Sequence, residues 1–311
     1  MKDTSNNPKD PFGGYGPQPV RCRWLTTDDA DRARTAKVVR LIVDEDRWSP
    51  HWANEVYQRA AMRDIAGFID TTTAVVTTPA GMITTTVGWL AGSLAGVSVG
   101  RDAAAGALAR LDFGPSVPET LIGVDGCVPG EATPLQCVLH VKHSGAILDE
   151  RNTTMKLYPN NGESRSLVGW LAACDSDSVP PELTCARRIR TSAGDFLVLV
   201  CHDACLFSAR SRANVADRIR LQIRKHFDQE ANRSPPLDFV LIATHHQESR
   251  SSGGVFKNAA KTLAKETGAT VITTMFCPSA GMATIAEHFP VQGERAGDIV
   301  TLLVADTLET S

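Results

Sequence analysis

The sequence predicts an α/β sandwich, in which helices cover the outer faces of buried strands. A chain of 311 residues with 42% hydrophobic and 22% charged residues has a globular composition and can bury a sizeable core. Short runs such as FLVLV and FVLIA are apolar on both faces, which is typical of strands in a covered parallel sheet. These runs alternate with amphipathic segments, which predict the covering helices.

Only the start of the chain looks separable from this unit. It is polar, with Pro and Gly clusters and the acidic run TTDDAD. This composition predicts a flexible tail over residues 1–35, and one α/β domain over 36–311.

The first part of the domain alternates strand and helix. Residues 37–46 predict the first strand, and 49–70 predict a helix that Ser49 caps. Residues 73–79 predict the second strand. The uncharged stretch within 71–100 then predicts a second helix.

The second part adds hairpins to the same alternation. Predicted strands cover 119–128, 237–246, 269–276 and 297–307. Predicted hairpins cover 135–151 and 186–201. A predicted helix follows Cys201 through about residue 228, and another covers 254–268.

The uncharged stretch 71–100 raises the question of a membrane span. Gly88, Gly92 and Gly96 have a four-residue spacing that packs helices in lipid. Its Thr and Gly content and Pro79 give it only a mediocre hydropathy for a span. We therefore expect a buried strand and a tightly packed helix, and no membrane partner.

Charge and cysteine usage narrow the partners and the compartment. A net charge of -3 gives no electrostatic reason to expect nucleic acid, so a small-molecule substrate or ligand is the expected partner. The eight cysteines are scattered without a CxxC pair, and the first residues are polar rather than a secretory leader. We expect free thiols in a reducing, cytoplasmic setting.

Polar side chains cluster where buried strands end, which is where α/β sheets collect functional groups. Three sites fit this position: Cys201-His202-Asp203, Thr244-His245-His246, and the loop that holds Lys156 and Glu163.

Cys201 is the candidate nucleophile. At a corner between strand and helix, the positive end of the helix dipole favours a thiolate, and the following N–H groups can stabilise an oxyanion. The alternative is a buried structural cysteine beside a polar turn.

The order of the motifs resembles the carbon–nitrogen hydrolase (nitrilase) superfamily. The motifs are the strands ETLIGVDGCV and LQCVLHV, the turn HSG, then MKLYPNNGE, GDFLVLVCHD, DFVLIATHH and ATVITTMF. The resemblance spans 37–307 and is strongest over 119–276. It implies a nitrilase-like four-layer α-β-β-α sandwich and a homodimer or higher homo-oligomer. No cofactor is expected.

The resemblance also implies roles for three residues. Cys201 matches the nucleophile, Lys156 the lysine that stabilises the oxyanion, and Glu163 the second glutamate that orients the site. The chemistry is consistent, since a thiol attacks an amide or nitrile carbon, a cation meets the developing negative charge and a carboxylate moves protons.

One position departs from the family pattern. The general base of the family is a glutamate after a proline, and here Pro79 is followed by Ala80. Either Glu163 or another carboxylate such as Asp203 supplies the base, or the chain is an inactive relative that binds a ligand or partner, or Ala80 is an engineered change. The first strand also lacks the usual A-x-x-Q ending.

The histidines suggest a rival hypothesis, a metal-dependent hydrolase. Nitrogen and carboxylate ligands at neighbouring strand ends can hold Zn²⁺, although no HExxH motif is present. We favour a polar substrate pocket without a metal, lined by His202, Asp203, His245 and His246.

Overall fold

The computed structural model describes residues 20–49, 54–69, 74–86, 118–127, 135–142, 153–158, 187–209, 217–244 and 250–305. The strands in this part of the chain are β1 (Arg21–Trp24), β2 (Val38–Asp44), β3 (Val75–Thr77), β4 (Ile83–Thr86), β5 (Thr120–Cys127), β6 (Leu135–Val141), β7 (Thr153–Met155), β8 (Arg188–Arg190), β9 (Asp195–Val200), β10 (Phe239–Ala243), β11 (Thr270–Cys277) and β12 (Ile299–Ala305). The α-helices are α1 (Thr27–Arg32), α2 (Glu45–Trp48), α3 (Glu55–Ile69), α4 (Asp217–Ala231), α5 (Arg250–Thr267) and α6 (Ile285–His288).

The strands follow the order β7-β6-β5-β3-β2-β11-β10-β9-β8, with β12 between β1 and β2 and with β4 beside β5. Strand β11 joins two halves, since residues 270–274 pair with β10 and residues 275–277 pair with β2. The first half therefore contains β1 to β7 and β12, and the second half contains β8 to β10 with the start of β11.

Alternation along the strands assigns each half an outer and an inner face. On β2, Leu41 packs in one buried cluster with Ala61 and Ile65 of α3, whereas Val38 belongs to a different cluster. Successive side chains of a strand point to opposite faces, so α3 covers the outer face of the first half.

The second half has the same arrangement. Leu199 of β9 packs with Ile223 of α4 and Leu263 of α5, which covers its outer face. A third cluster contains Val38 and Val138 of the first half together with Val198 of the second. The two sheets thus pack face to face between helical layers, and the predicted four-layer α-β-β-α sandwich is confirmed.

The predicted flexible tail includes residues 21–32, which form a strand and a helix. Residues 21–24 form an antiparallel edge strand on β12, with Trp24 opposite Leu302. Thr26 caps α1, since its Oγ1 accepts a hydrogen bond from the Asp29 backbone N–H. Residues 1–19 lie outside the described part of the chain.

Other boundaries also differ from the predictions. Residues 83–86 are a strand rather than the start of a helix, and 87–100 lie outside the described residues. Cys201 begins a seven-residue 3₁₀ turn that ends at Phe207, and α4 begins only at Asp217. Strand β7 begins at Thr153, beyond the predicted hairpin 135–151. Among the described helices, none combines the length and apolar character that crossing a bilayer requires.

Candidate active site

Cys201 has an unusual backbone at the end of β9. Its φ is 49°, and it is the one non-glycine residue with positive φ in the described part of the chain. The left-handed region costs about 1–2 kcal/mol for residues with a Cβ. Such strain persists only where the surroundings fix it, and it concentrates at functional sites. The side chain is 9% exposed.

Asp203 fixes the turn that follows Cys201. Its Oδ2 accepts hydrogen bonds from the Val200 N–H at 3.1 Å and from Arg187 Nη1 at 3.4 Å. Its Oδ1 accepts from the N–H groups of Leu157 at 2.9 Å and Tyr158 at 2.8 Å. Asp203 therefore ties the Cys201 turn to the segment that directly follows Lys156.

The Asp203 carboxyl is fully buried, and this burial raises its pKa. The Arg187 guanidinium and the three backbone N–H groups act in the opposite direction. Because all four contacts are donors, they match a carboxylate that holds the turn in place. These contacts are internal to the chain.

Lys156 lies at the end of β7 and is itself buried. Its N–H donates to the Gln136 carbonyl at 3.0 Å, and its Nζ donates to Gln136 Oε1 at 2.8 Å. The Asp203 contacts bring this segment and the Cys201 turn to the same end of the sandwich. Asp203 thus links the Cys201 turn to the segment that directly follows Lys156.

The position that the resemblance assigns to a general base lies in a tight turn. The Met82 N–H donates to the Pro79 carbonyl at 3.4 Å, and Gly81 has a φ of 77°, as a type II turn requires. The turn lies directly on Gly123, where an added Cβ would be 2.0 Å from the Pro79 oxygen and 2.5 Å from Ala80 Cα. Only glycine allows this approach.

Ala80 and Cys201 meet through the neighbouring strand β10. Val200 is in register with Ala243, so Cys201 and Thr244 follow adjacent strand ends. The Ala80 N–H donates to the Thr244 carbonyl at 3.1 Å, and the Ala80 and Cys201 side chains share the buried cluster between the sheets. A methyl group therefore stands near the thiol where the resemblance expects a carboxylate.

A buried polar row crosses three strands of the first half, and we call it the polar row. It contains Asp125 of β5, Gln136 of β6 and Lys156 after β7, which are 2%, 5% and 6% exposed. Asp125 is in register with Gln136, and Gln136 bonds Lys156. Sequence reasoning missed Asp125 and Gln136, because only the register of three strands brings them to Lys156.

The other predicted site residues have different outcomes. His202 is half-buried beside Cys201. Glu163, His245 and His246 lie outside the described residues. Within the described ranges, no group of three or more His, Cys, Asp or Glu side chains could hold a metal ion.

Comparisons with known proteins find matches among solved structures. No family model matches the chain, and no curated protein matches it. Among solved structures, an amidase from Nesterenkonia sp. is 15% identical, with 88% of this chain and 91% of that chain covered and a TM-score of 0.44. The chain is similar in structure to carbon–nitrogen hydrolases.

Two further solved structures agree with this likeness. Nit3 from Saccharomyces cerevisiae, a nitrilase-superfamily member, is 13% identical over 71% of this chain and 70% of its own, with a TM-score of 0.37. A CN-hydrolase superfamily protein from Xanthomonas campestris is 13% identical over 76% and 75%, with a TM-score of 0.38.

Proposed function

We propose that the chain is a member of the carbon–nitrogen hydrolase superfamily that hydrolyses a non-peptide amide or nitrile through a thioester at Cys201. The observation that supports this most is the strained Cys201 backbone at a strand end, tied by Asp203 to the segment of Lys156. A structural cysteine needs no such conformation.

For an amide, the Cys201 sulfur adds to the carbonyl carbon and forms a C–S bond, and the carbonyl oxygen becomes an oxyanion. The Lys156 ammonium, which donates to Gln136 Oε1 at 2.8 Å, stabilises this charge. The C–N bond then breaks, and the amine leaves with a proton. Water next attacks the thioester, which releases the acid and returns the proton to the thiol.

Asp203 is a positioning residue in this proposal, because its described contacts hold the Cys201 turn. The half-buried His202 lines the entrance, and we assign His245 and His246 to substrate binding and Glu163 to orienting the site. The small-molecule substrate, the cytoplasmic setting and the homo-oligomer expected from the resemblance stay predictions.

The test is selective alkylation combined with a substrate panel. We expect iodoacetamide to label Cys201 stoichiometrically, and Cys201→Ala to abolish ammonia or amine release from a panel of amides and nitriles. Cys277→Ala is the control, because burial raises the pKa of that thiol to about 11 and keeps it unreactive. Hydrolysis that persists in Cys201→Ala would exclude thiol catalysis.

A second candidate is an inactive relative that binds a ligand with the same pocket. The buried methyl of Ala80 at the position of the expected base favours it. It predicts an unreactive Cys201 and no turnover on the panel, together with a small molecule that copurifies with the protein.

A further inference from the structure

We propose that Asp125 is the catalytic carboxylate that replaces the missing base at position 80. This inference rests on the proposed function, since it assigns the proton transfers that the thioester route requires. No sequence motif identifies Asp125. The register of β5 with β6 does, because it places Asp125 opposite Gln136.

The first step is the face of β5 on which Asp125 lies. Ile122 and Val124 belong to the cluster under α3, whereas Leu121 belongs to the cluster between the sheets. Alternation therefore places Gly123 and Asp125 on the inner face, which faces the second sheet. Cys201 belongs to the same inner cluster as Leu121.

The second step is the distance from Asp125 to position 80, where the family has its general base and this chain has alanine. Gly123 supports the turn of Pro79 and Ala80 directly. Asp125 is the next residue on that face, about 7 Å further along the strand. Its carboxylate thus extends from β5 toward the region that a glutamate at position 80 would reach from the turn.

The third step is the position of Asp125 beside Gln136 and Lys156 in the polar row. Asp125 lies opposite Gln136, and residues in register on antiparallel strands have Cα atoms about 4.5–5.5 Å apart. Gln136 in turn holds the Lys156 ammonium at 2.8 Å. Asp125 and Lys156 thus both adjoin Gln136 on the inner face of the first half.

Two other buried carboxylates in the described ranges, Asp203 and Asp44, bind groups of the chain itself. Both oxygens of Asp203 accept hydrogen bonds from the backbone or from Arg187. Asp44 accepts from Ser279 Oγ at 2.7 Å, beside Cys277. Asp125 is 2% exposed, and buried ionisable groups concentrate at functional sites.

The proposed proton path balances. As the Cys201 sulfur bonds the amide carbon, the Asp125 carboxylate takes the thiol proton. The resulting carboxylic acid gives this proton to the nitrogen as the C–N bond breaks, so the amine leaves neutral. Asp125 then takes a proton from the attacking water, and it returns that proton to sulfur when the C–S bond breaks.

The experiment compares an amide with an activated ester in Asp125→Asn. A p-nitrophenolate leaving group departs without a proton. At mildly alkaline pH, p-nitrophenyl acetate therefore still acylates Cys201 in the variant. The acetyl-enzyme then accumulates, and mass spectrometry detects it. Amide hydrolysis falls about 10²- to 10⁴-fold, the usual contribution of general acid–base catalysis. Asp228→Asn, an exposed partner of Arg224 on α4, is the control and leaves both reactions unchanged.

Several outcomes overturn the inference. A folded Asp125→Asn protein that hydrolyses amides normally, or that loses the ester burst together with amide hydrolysis, shows that Asp125 is not the base. Asp125→Ala with added formate provides a second variant if the Asn protein does not fold. Formate is expected to restore amide hydrolysis, and a folded Ala variant without recovery also contradicts the inference.

The experiment separates this inference from the proposed function. If Cys201→Ala retains hydrolysis, thiol catalysis itself fails. If only the Asp125 variants contradict the expected results, thiol catalysis stands and another group moves the proton. Ala80→Glu on the Asp125→Asn background is expected to restore part of the amide activity, and a folded double variant without recovery contradicts the shared position.

Discussion

Asp203→Asn tests how the Cys201 turn is held. The substitution keeps the size of the side chain and replaces one acceptor oxygen by an NH₂ group. Oδ1 accepts two backbone N–H groups, and Oδ2 accepts one N–H group and the Arg187 guanidinium. In either orientation the NH₂ group faces two donors, so two buried hydrogen bonds are lost.

The expected cost follows from these contacts. A hydrogen bond to a charged group contributes about 1.5–3 kcal/mol, and removing one partner of a buried ion pair costs about 3–5 kcal/mol. Burial raises the pKa of Asp203, and a neutral side chain is easier to bury, so part of this loss is offset. We therefore expect Asp203→Asn to lower the free energy of unfolding by about 3 kcal/mol.

The assay is urea unfolding at neutral pH, followed by iodoacetamide labelling of Cys201 in the folded variant. Asp228→Asn is the control, because its exposed pair with Arg224 at 2.9 Å contributes at most about 1 kcal/mol. A loss in Asp203→Asn no larger than in this control, with unchanged labelling, would refute the role of Asp203.

Two further predictions concern the turn at position 80 and the pH dependence of stability. Gly123→Ala is expected to cost about 1–3 kcal/mol in urea unfolding and to lower turnover, because its Cβ would overlap the backbone of Pro79 and Ala80; an unchanged protein would contradict the close approach. Burial and the nearby Arg187 lower the pKa of His226 from 6.5 to about 4. The unfolded chain therefore binds the proton first, and stability is lost as the pH falls from 6.5 toward 4. Allowing for partial exposure, this loss is about 1–2 kcal/mol. His226→Gln should remove this loss from urea curves measured across that pH range, and an unchanged pH dependence would argue against a half-buried neutral imidazole.

The sequence predicts the central strands well and the edges poorly. Strands β2, β9, β10 and β11 are continuous apolar runs, and a strand covered on both faces requires such a run. Strand β1 alternates Arg21 and Arg23 with Cys22 and Trp24, so its composition resembles a polar tail. It forms because the edge of β12 accepts it.

The candidate site was predictable only in part. The motifs identify Cys201 and Lys156, because both follow strands that are recognisable in the sequence. The positive φ of Cys201 depends on tertiary contacts of Asp203, which the sequence does not reveal. Asp125 is a lone acidic residue in an apolar strand, and only its register with Gln136 connects it to the lysine.

The central claim is that the Cys201 thiol and the Lys156 ammonium belong to one site. The direct measurement is the rate at which iodoacetamide alkylates Cys201 at neutral pH in Lys156→Gln, with the exposed Lys142→Gln as control. A nearby ammonium favours the thiolate, so Lys156→Gln should slow labelling about tenfold. Equal rates in the wild type and both variants would contradict the claim.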